Sequence, residues 1–171
     1  MEKPLPDINF VDINADVIEA LHSSFKNIDG VQFLIDDILR VAQHIVISPA
    51  NSYGFMDGGV DFDYMHYFGA SLQNKVLNAV RARPEGYLPV GAAEWIETGD
   101  DRIPSLILAP TMLHPEMIPP INVLRAFRAA LKLFLKKNVC KSVYCPGFGT
   151  GVGGVPPDVA AEMMLMAYQS F

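Results

Sequence analysis

The chain has 171 residues, half of them hydrophobic and 19% charged, which suits one folded domain and excludes a disordered tail or a disulfide-stapled miniprotein. A net charge of −6 argues against broad contact with a nucleic-acid backbone, which draws basic faces, and no apolar run approaches the ~20 residues of a membrane helix. Two cysteines without a CxxC spacing and four scattered histidines give no reason to expect a disulfide framework, a metal site or a bound cofactor. Residues 1–7 lack the charged-then-apolar layout of a secretory signal, so the chain is expected to begin there and to work in the cytoplasm.

In chain order, residues 8–13 alternate as a strand. Val17, Ile18, Leu21 and Phe25 then recur at helical spacing behind Asn14, which suits an N-cap. A turn over 27–30 leads to a strand over 31–35, closed by Asp36 and Asp37 and followed by a short connection containing Leu39 and Val41. Residues 44–47 read as a buried strand that delivers the chain into 48–59, a stretch too rich in turn formers to be a simple connector. The spacing predicts helix from 60 to about 83 with a break at Gly69, and turns over 84–90. Strands follow over 92–97 and 106–109, antiparallel because the link between them is too short for a crossover. Residues 110–119 form another loop of pocket length. Ile121, Leu124, Phe127, Leu131, Phe134 and Leu135 predict a helix, with Arg125, Arg128, Lys132 and Lys136 on a solvated stripe. A strand over 142–145, a glycine loop and a helix over 157–171 end the chain, with Met163 and Met166 expected at core spacing. Alternating strands and helices imply an α/β fold of three layers, α/β/α, around a mixed, mostly parallel sheet.

The glycine loop carries most of the chemistry. Five glycines fall within residues 147–154, so the main chain can turn sharply and approach a ligand, and a helix start behind it presents N–H groups and partial positive charge. A phosphate, as part of a nucleotide, is the ligand this arrangement suits; a tight strand-to-helix connection is the plain alternative. In a mostly parallel sheet the loops at 36–37, 49–59 and 147–155 all leave carboxyl ends of strands, so one cleft can hold all three. A nicotinamide dinucleotide fingerprint would place its glycines after the first strand with an acid about twenty residues on, and this chain does neither.

Three ordered motifs sharpen that outline. Val46-Ile47-Ser48-Pro49-Ala50-Asn51-Ser52, then Gly58-Gly59-Val60-Asp61 with Gly69 beyond, and finally Gly149-Thr150-Gly151-Val152-Gly153-Gly154 resemble the macro domain, a family that binds ADP-ribose. The family pattern is an Asn-Ala-Ala-Asn-Ser strand end, a Gly-Gly-Val-Asp helix start and a Ser-Thr-Gly-Val loop. The resemblance runs over 31–171 and makes residues 1–30 an added strand and helix ahead of a common core, all within one domain over 1–171.

It implies an adenine site at Asp37 and Ile38, where the carboxylate accepts from the exocyclic amine; on the residues alone Asp37 is equally a turn cap. Asn51 would hydrogen-bond the distal ribose hydroxyls, with an Asx turn as its plain alternative, and Ala50 is expected beside it among the ligand-binding residues. Gly58, Gly59 and Val60 would lie beside ribose and diphosphate, and Gly149, Thr150, Gly151, Val152 and Gly153 would cradle the diphosphate. Phe148 and Tyr53 are open as apolar walls or core aromatics.

Asn51 and Asp61 are the catalytic candidates, Asp61 by orienting water and ribose, although a first-turn acid also suits a helix N-terminus without further purpose. The implied function is binding of ADP-ribose or a derivative, with hydrolysis of a bond at its distal ribose in an ADP-ribosylated protein or in O-acetyl-ADP-ribose. A reader without catalysis, a phosphatase of ADP-ribose 1″-phosphate and a module with a vestigial pocket are the alternatives. The chain departs from the pattern at four places. Ser48 and Pro49 replace Asn and Ala, Met65 stands where a histidine is usual with His66 next to it, and Gly153 stands where an aromatic is common.

Overall fold

Short, mostly apolar strands that are buried throughout stand inside the sheet, as burial on both faces requires. The computed structural model describes residues 4–171; residues 1–3, the start of the expected signal-free N-terminus, lie outside the described residues. The elements are β1 (Asp7–Asp12), α1 (Ala15–Phe25), β2 (Val31–Ile35), α2 (Ile38–Val41), β3 (Ile45–Ser48), α3 (Gly59–Phe68), α4 (Ala70–Arg81), β4 (Glu94–Glu97), β5 (Ser105–Leu108), α5 (Ile121–Lys137), β6 (Ser142–Cys145) and α6 (Pro157–Gln169). Among the described residues they build one six-stranded sheet in the order β2-β1-β6-β3-β5-β4. Every neighbouring pair is parallel except β4 with β5. β3 and β5 are buried at all four of their residues. No described helix is long and apolar enough to cross a membrane.

The two faces of the sheet carry separate cores, giving the α/β/α layering. On one face Ile8, Phe10, Ile45, Ile47 and Val143 pack with the apolar stripes of α1, α5 and α6. On the other, Val11, Val46, Leu106 and Leu108 pack with Ile38 and Leu39 of α2, Tyr64 of α3, and Leu72, Val76 and Val80 of α4. Each such side chain, taken fully from water, contributes about 1.5–3 kcal/mol.

Most expected elements stand where the periodicity puts them, and the differences have local causes. Gly69, at φ 93°, ends α3 and opens α4, a left-handed conformation that favours glycine. The link after Asp37 tightens into the single turn of α2 because the Asp37 carboxylate accepts from the Leu39 amide at 2.9 Å. In α6 the buried stripe is Ala160, Ala161, Met164, Ala167 and Tyr168, so Met164 holds the core place expected of its neighbours and Met166 is half exposed. The helix lies against both α1 and α5, and that double contact sets its rotation. β1, the first strand of the expected extension, lies inside the sheet between β2 and β6.

Candidate functional site

Four parallel strands, β1, β2, β3 and β6, point their carboxyl ends toward one cleft of about 630 Å3, the position where ligands gather in open α/β sheets. All of the site residues expected from sequence line it: Asp37 and Ile38 after β2, Ala50 and Asn51 after β3, Gly58 to Asp61 at the start of α3, and Gly149 to Gly153 after β6. The loop from 110 adds Thr111, Met112 and Pro115. The turn after β1 adds Asp12, Ile13 and Asn14.

The wall after β3 is fixed from several sides. The Asn51 side chain donates to the Phe55 carbonyl at 2.7 Å and accepts from the Phe55 amide at 3.2 Å. A primary amide has two donors and two acceptor positions, so one of each is left for a ligand. Gln73 of α4 clamps the same loop, donating to the Gly54 carbonyl at 2.7 Å and accepting from the Met56 amide at 2.8 Å. Beyond the loop, α3 is tied back to the end of β3. The Tyr64 hydroxyl donates to the Ile47 carbonyl at 3.0 Å, and the Ser48 hydroxyl donates to Oδ1 of Asp61. Ser48 is fully buried and Asp61 is 5% exposed. Burial pushes the Asp61 carboxyl up to about 7, the nearby charge of Asp57 adds to the rise, and the Ser48 hydrogen bond opposes it. Oδ2 of Asp61 has no hydrogen-bond partner among the described residues, although it is not sealed from the cleft that Asp61 lines.

The opposite wall is the glycine loop. It is held at its root by Asp12, whose Oδ2 accepts from the Gly147 amide at 3.0 Å, and at its far side by the Ile118 amide, which donates to the Gly153 carbonyl at 3.0 Å. The Val155 amide closes the loop on the Gly149 carbonyl at 3.0 Å. The amides of Thr150, Gly151, Val152 and Gly153 donate to no protein acceptor among the described residues. Those of Gly59, Val60 and Asp61, in the first turn of α3, are equally free, and no side chain caps that helix. Two runs of unpaired donors therefore border one cavity, an arrangement that accepts an anion without any cationic side chain. The helix end that contributes is that of α3. α6 opens on Pro156 and Pro157, which have no N–H to offer.

A family model, Macro domain, matches residues 47–164. The chain belongs to the macro domain family. An uncharacterized protein of Aquifex aeolicus is 38% identical over 135 residues, covering 78% of each chain. Among solved structures, an Oceanobacillus iheyensis macrodomain with ADP superimposes with a TM-score of 0.68 at 23% identity, covering 80% of this chain and 73% of the other. Thermosipho africanus DarTG in complex with ADP-ribose does so with a TM-score of 0.67 at 14% identity, covering 92% of this chain and 49% of that one. These two likenesses carry the fold.

Several details of this macro domain lay outside the sequence reading. Asp12 and Asn14 border the cleft because β1 is an interior parallel strand; the rule that ligands gather at carboxyl ends would have found them had that placement been known. Phe148 is fully buried against Phe127, with ring centroids 5.4 Å apart, and Tyr53 lies against Tyr87, so neither lines the cleft. Phe55, half exposed, does. Gly153 has no room for the aromatic common in the family: a Cβ there would sit 2.7 Å from the Gly149 carbonyl oxygen and 3.0 Å from Ile118. Cys145 is buried beneath the loop and packs in the core.

Proposed function

We propose that the cleft binds ADP-ribose or a close derivative. The observation that carries this is the pair of unpaired amide runs, 59–61 and 150–153, bordering one cavity; a diphosphate supplies the acceptors they lack. Asp37 uses one carboxylate oxygen on the Leu39 amide and keeps the other for the amine of an adenine, with Ile38 beside it. Asn51 holds its remaining donor and acceptor toward the distal ribose, and Gly58 and Gly59, with open space where side chains would be, let that ribose approach the main chain. The solved relatives named with ADP and with ADP-ribose support the same occupant. Titration calorimetry should register heat with ADP-ribose, and ligand at a hundred times its Kd should stabilise the fold by about 2.7 kcal/mol. No heat and no thermal shift at millimolar ligand would refute it.

A second step, hydrolysis at the distal ribose, is favoured by Asp61 and its free Oδ2. A carboxyl poised at about 7 can take and return a proton near neutrality. In this reading Oδ2 removes a proton from a water whose oxygen attacks the anomeric carbon. The bond from that carbon to the carrier oxygen breaks, that oxygen takes the proton back from Oδ2, and free ADP-ribose departs; with O-acetyl-ADP-ribose the water attacks the acetyl carbonyl carbon instead, the acyl C–O bond breaks, and acetate and ADP-ribose leave. Asn51 orients the ribose and touches no proton. The setting we propose is the cytoplasm, with no membrane and no nucleic-acid backbone as partner. Asp61→Asn should abolish release of ADP-ribose from modified protein or from O-acetyl-ADP-ribose while ADP-ribose still binds; unchanged turnover would remove the carboxylate from the mechanism.

A further inference from the structure

Among the described residues, every charged side chain that lines the cleft is an aspartate: Asp12, Asp36, Asp37, Asp57, Asp61 and Asp63. The two groups of three differ. Near β1 and β2 the carboxylates are occupied: Asp36 pairs with Arg40, Asp12 accepts from the amides of Asn14 and Gly147, and Asp37 caps α2. At the start of α3, Asp57 and Asp63 are exposed. Asp61 is buried, its Oδ1 accepting from Ser48 and its Oδ2 left without a partner among the described residues, and no cation pairs with any of these three among the described residues. In the ADP-ribose reading the 59–61 amides are taken up by the diphosphate, so the groups left at the start of α3 to face a substituent on the distal ribose are the carboxylates of Asp57, Asp61 and Asp63.

Building on the ADP-ribose reading, we infer that the group carried by the distal ribose in this cleft is neutral or cationic, and that a phosphate at that ribose is rejected. The distal ribose, placed by Asn51 and Gly58, lies where its substituent faces Asp57, Asp61 and Asp63. A dianionic phosphate about 6 Å from one exposed carboxylate is opposed roughly tenfold in affinity even in a water-like dielectric. A neutral ester or glycosidic link, or a cationic side chain as carrier, meets no such opposition. The specificity-determining residues are Asp57 and Asp63, which do not act on the bond that breaks.

The test is calorimetry of the intact protein with ADP-ribose and with ADP-ribose 1″-phosphate, at low and at high salt. The phosphate-bearing ligand should bind about tenfold or more weakly, and the ratio should shrink at high salt because exposed charges are screened. The D57N/D63N double variant, both positions being exposed and its folding verified by thermal melt, should shrink the ratio several-fold. If ADP-ribose itself fails to bind, the occupant is wrong and the inference falls with it. If ADP-ribose binds but its 1″-phosphate binds as tightly, or if inorganic phosphate is released during titration, the inference alone is overturned. A ratio that the double variant leaves unchanged overturns the part given to the two carboxylates.

Discussion

The two glycine walls of the cleft use the same residue for opposite reasons. At Gly58 and Gly59 a Cβ would meet nothing within 4 Å. At Gly149, at φ 72°, it would stand 2.7 Å from Val123 and 3.1 Å from Ile118, and at Gly153 it would strike the loop's own carbonyl. Gly58 is bare toward the cavity, where a guest needs the main chain, and Gly59 is bare there too, although its φ of 60° also favours glycine for the turn itself. The second pair is bare toward the protein, which has already filled the space. A glycine-rich motif therefore does not announce by itself whether it serves a ligand or the fold, and the two walls should answer differently to the same substitution.

The largest effect belongs to Gly149→Ala. A left-handed residue with a side chain costs about 1–2 kcal/mol and crowding of a packed site about 1–3 more, so the melting temperature should fall by many degrees with ligand absent. A melt within a degree of the parent would collapse the distinction between the walls.

Next is Asp61→Asn, which sharpens the comparison on the α3 side. The folded carboxyl titrates at about 7, above the ordinary unfolded value of about 3.9. Between those pH values the folded chain holds a proton that the unfolded chain has released, so stability falls as pH rises through the window and the full cost is present above it. The asparagine variant should accordingly be more stable at pH 8, by about 2–4 kcal/mol, and nearly unchanged at pH 4. Denaturant melts at the two pH values decide it, and a gain of equal size at both would contradict the titration.

Asp12→Ala removes the acceptor that holds the Gly147 amide and should cost about 1–3 kcal/mol. It should also slacken the glycine loop, read as faster amide exchange over 147–155; protection equal to the parent would mean that the Ile118 side alone holds the loop. Gly58→Ala has the smallest effect on the fold. Its φ of −158° is open to any residue, so the melt should move by no more than about 2 °C, whereas ADP-ribose affinity should drop about tenfold, close to 1.4 kcal/mol. Loss of stability without loss of affinity would reverse the assignment of the two walls.

How much of this was legible before folding depends on the range of the interaction concerned. The Gly69 break, the Asn14 cap and the solvated stripe of Arg125, Arg128, Lys132 and Lys136 are local matters of φ, capping and periodicity, and they stand as expected. The convergence of three loops follows from parallel strands and needs no detail of register. The place of Asp12 depends on β1 pairing with β6, with Phe10 beside Cys145, an event between distant parts of the chain that no window of sequence reveals. The rotation of α6 toward Met164 and the crowding at Gly153 likewise come from neighbours on α1, α5 and the 110–119 loop. Ser48 was visible only as a departure from the family pattern; its hydrogen bond to Asp61 required the fold.

β6 is flanked by β1 on one side and β3 on the other, so it alone bridges the β2-β1 pair and the β3-β5-β4 trio. During synthesis those two subassemblies emerge from the ribosome first and share no ladder, and the keystone between them arrives only with residues 142–145. Without residues 142–145 each half-sheet would present an unpaired edge, and no strand would tie the β1 side of the cleft to its β3 side.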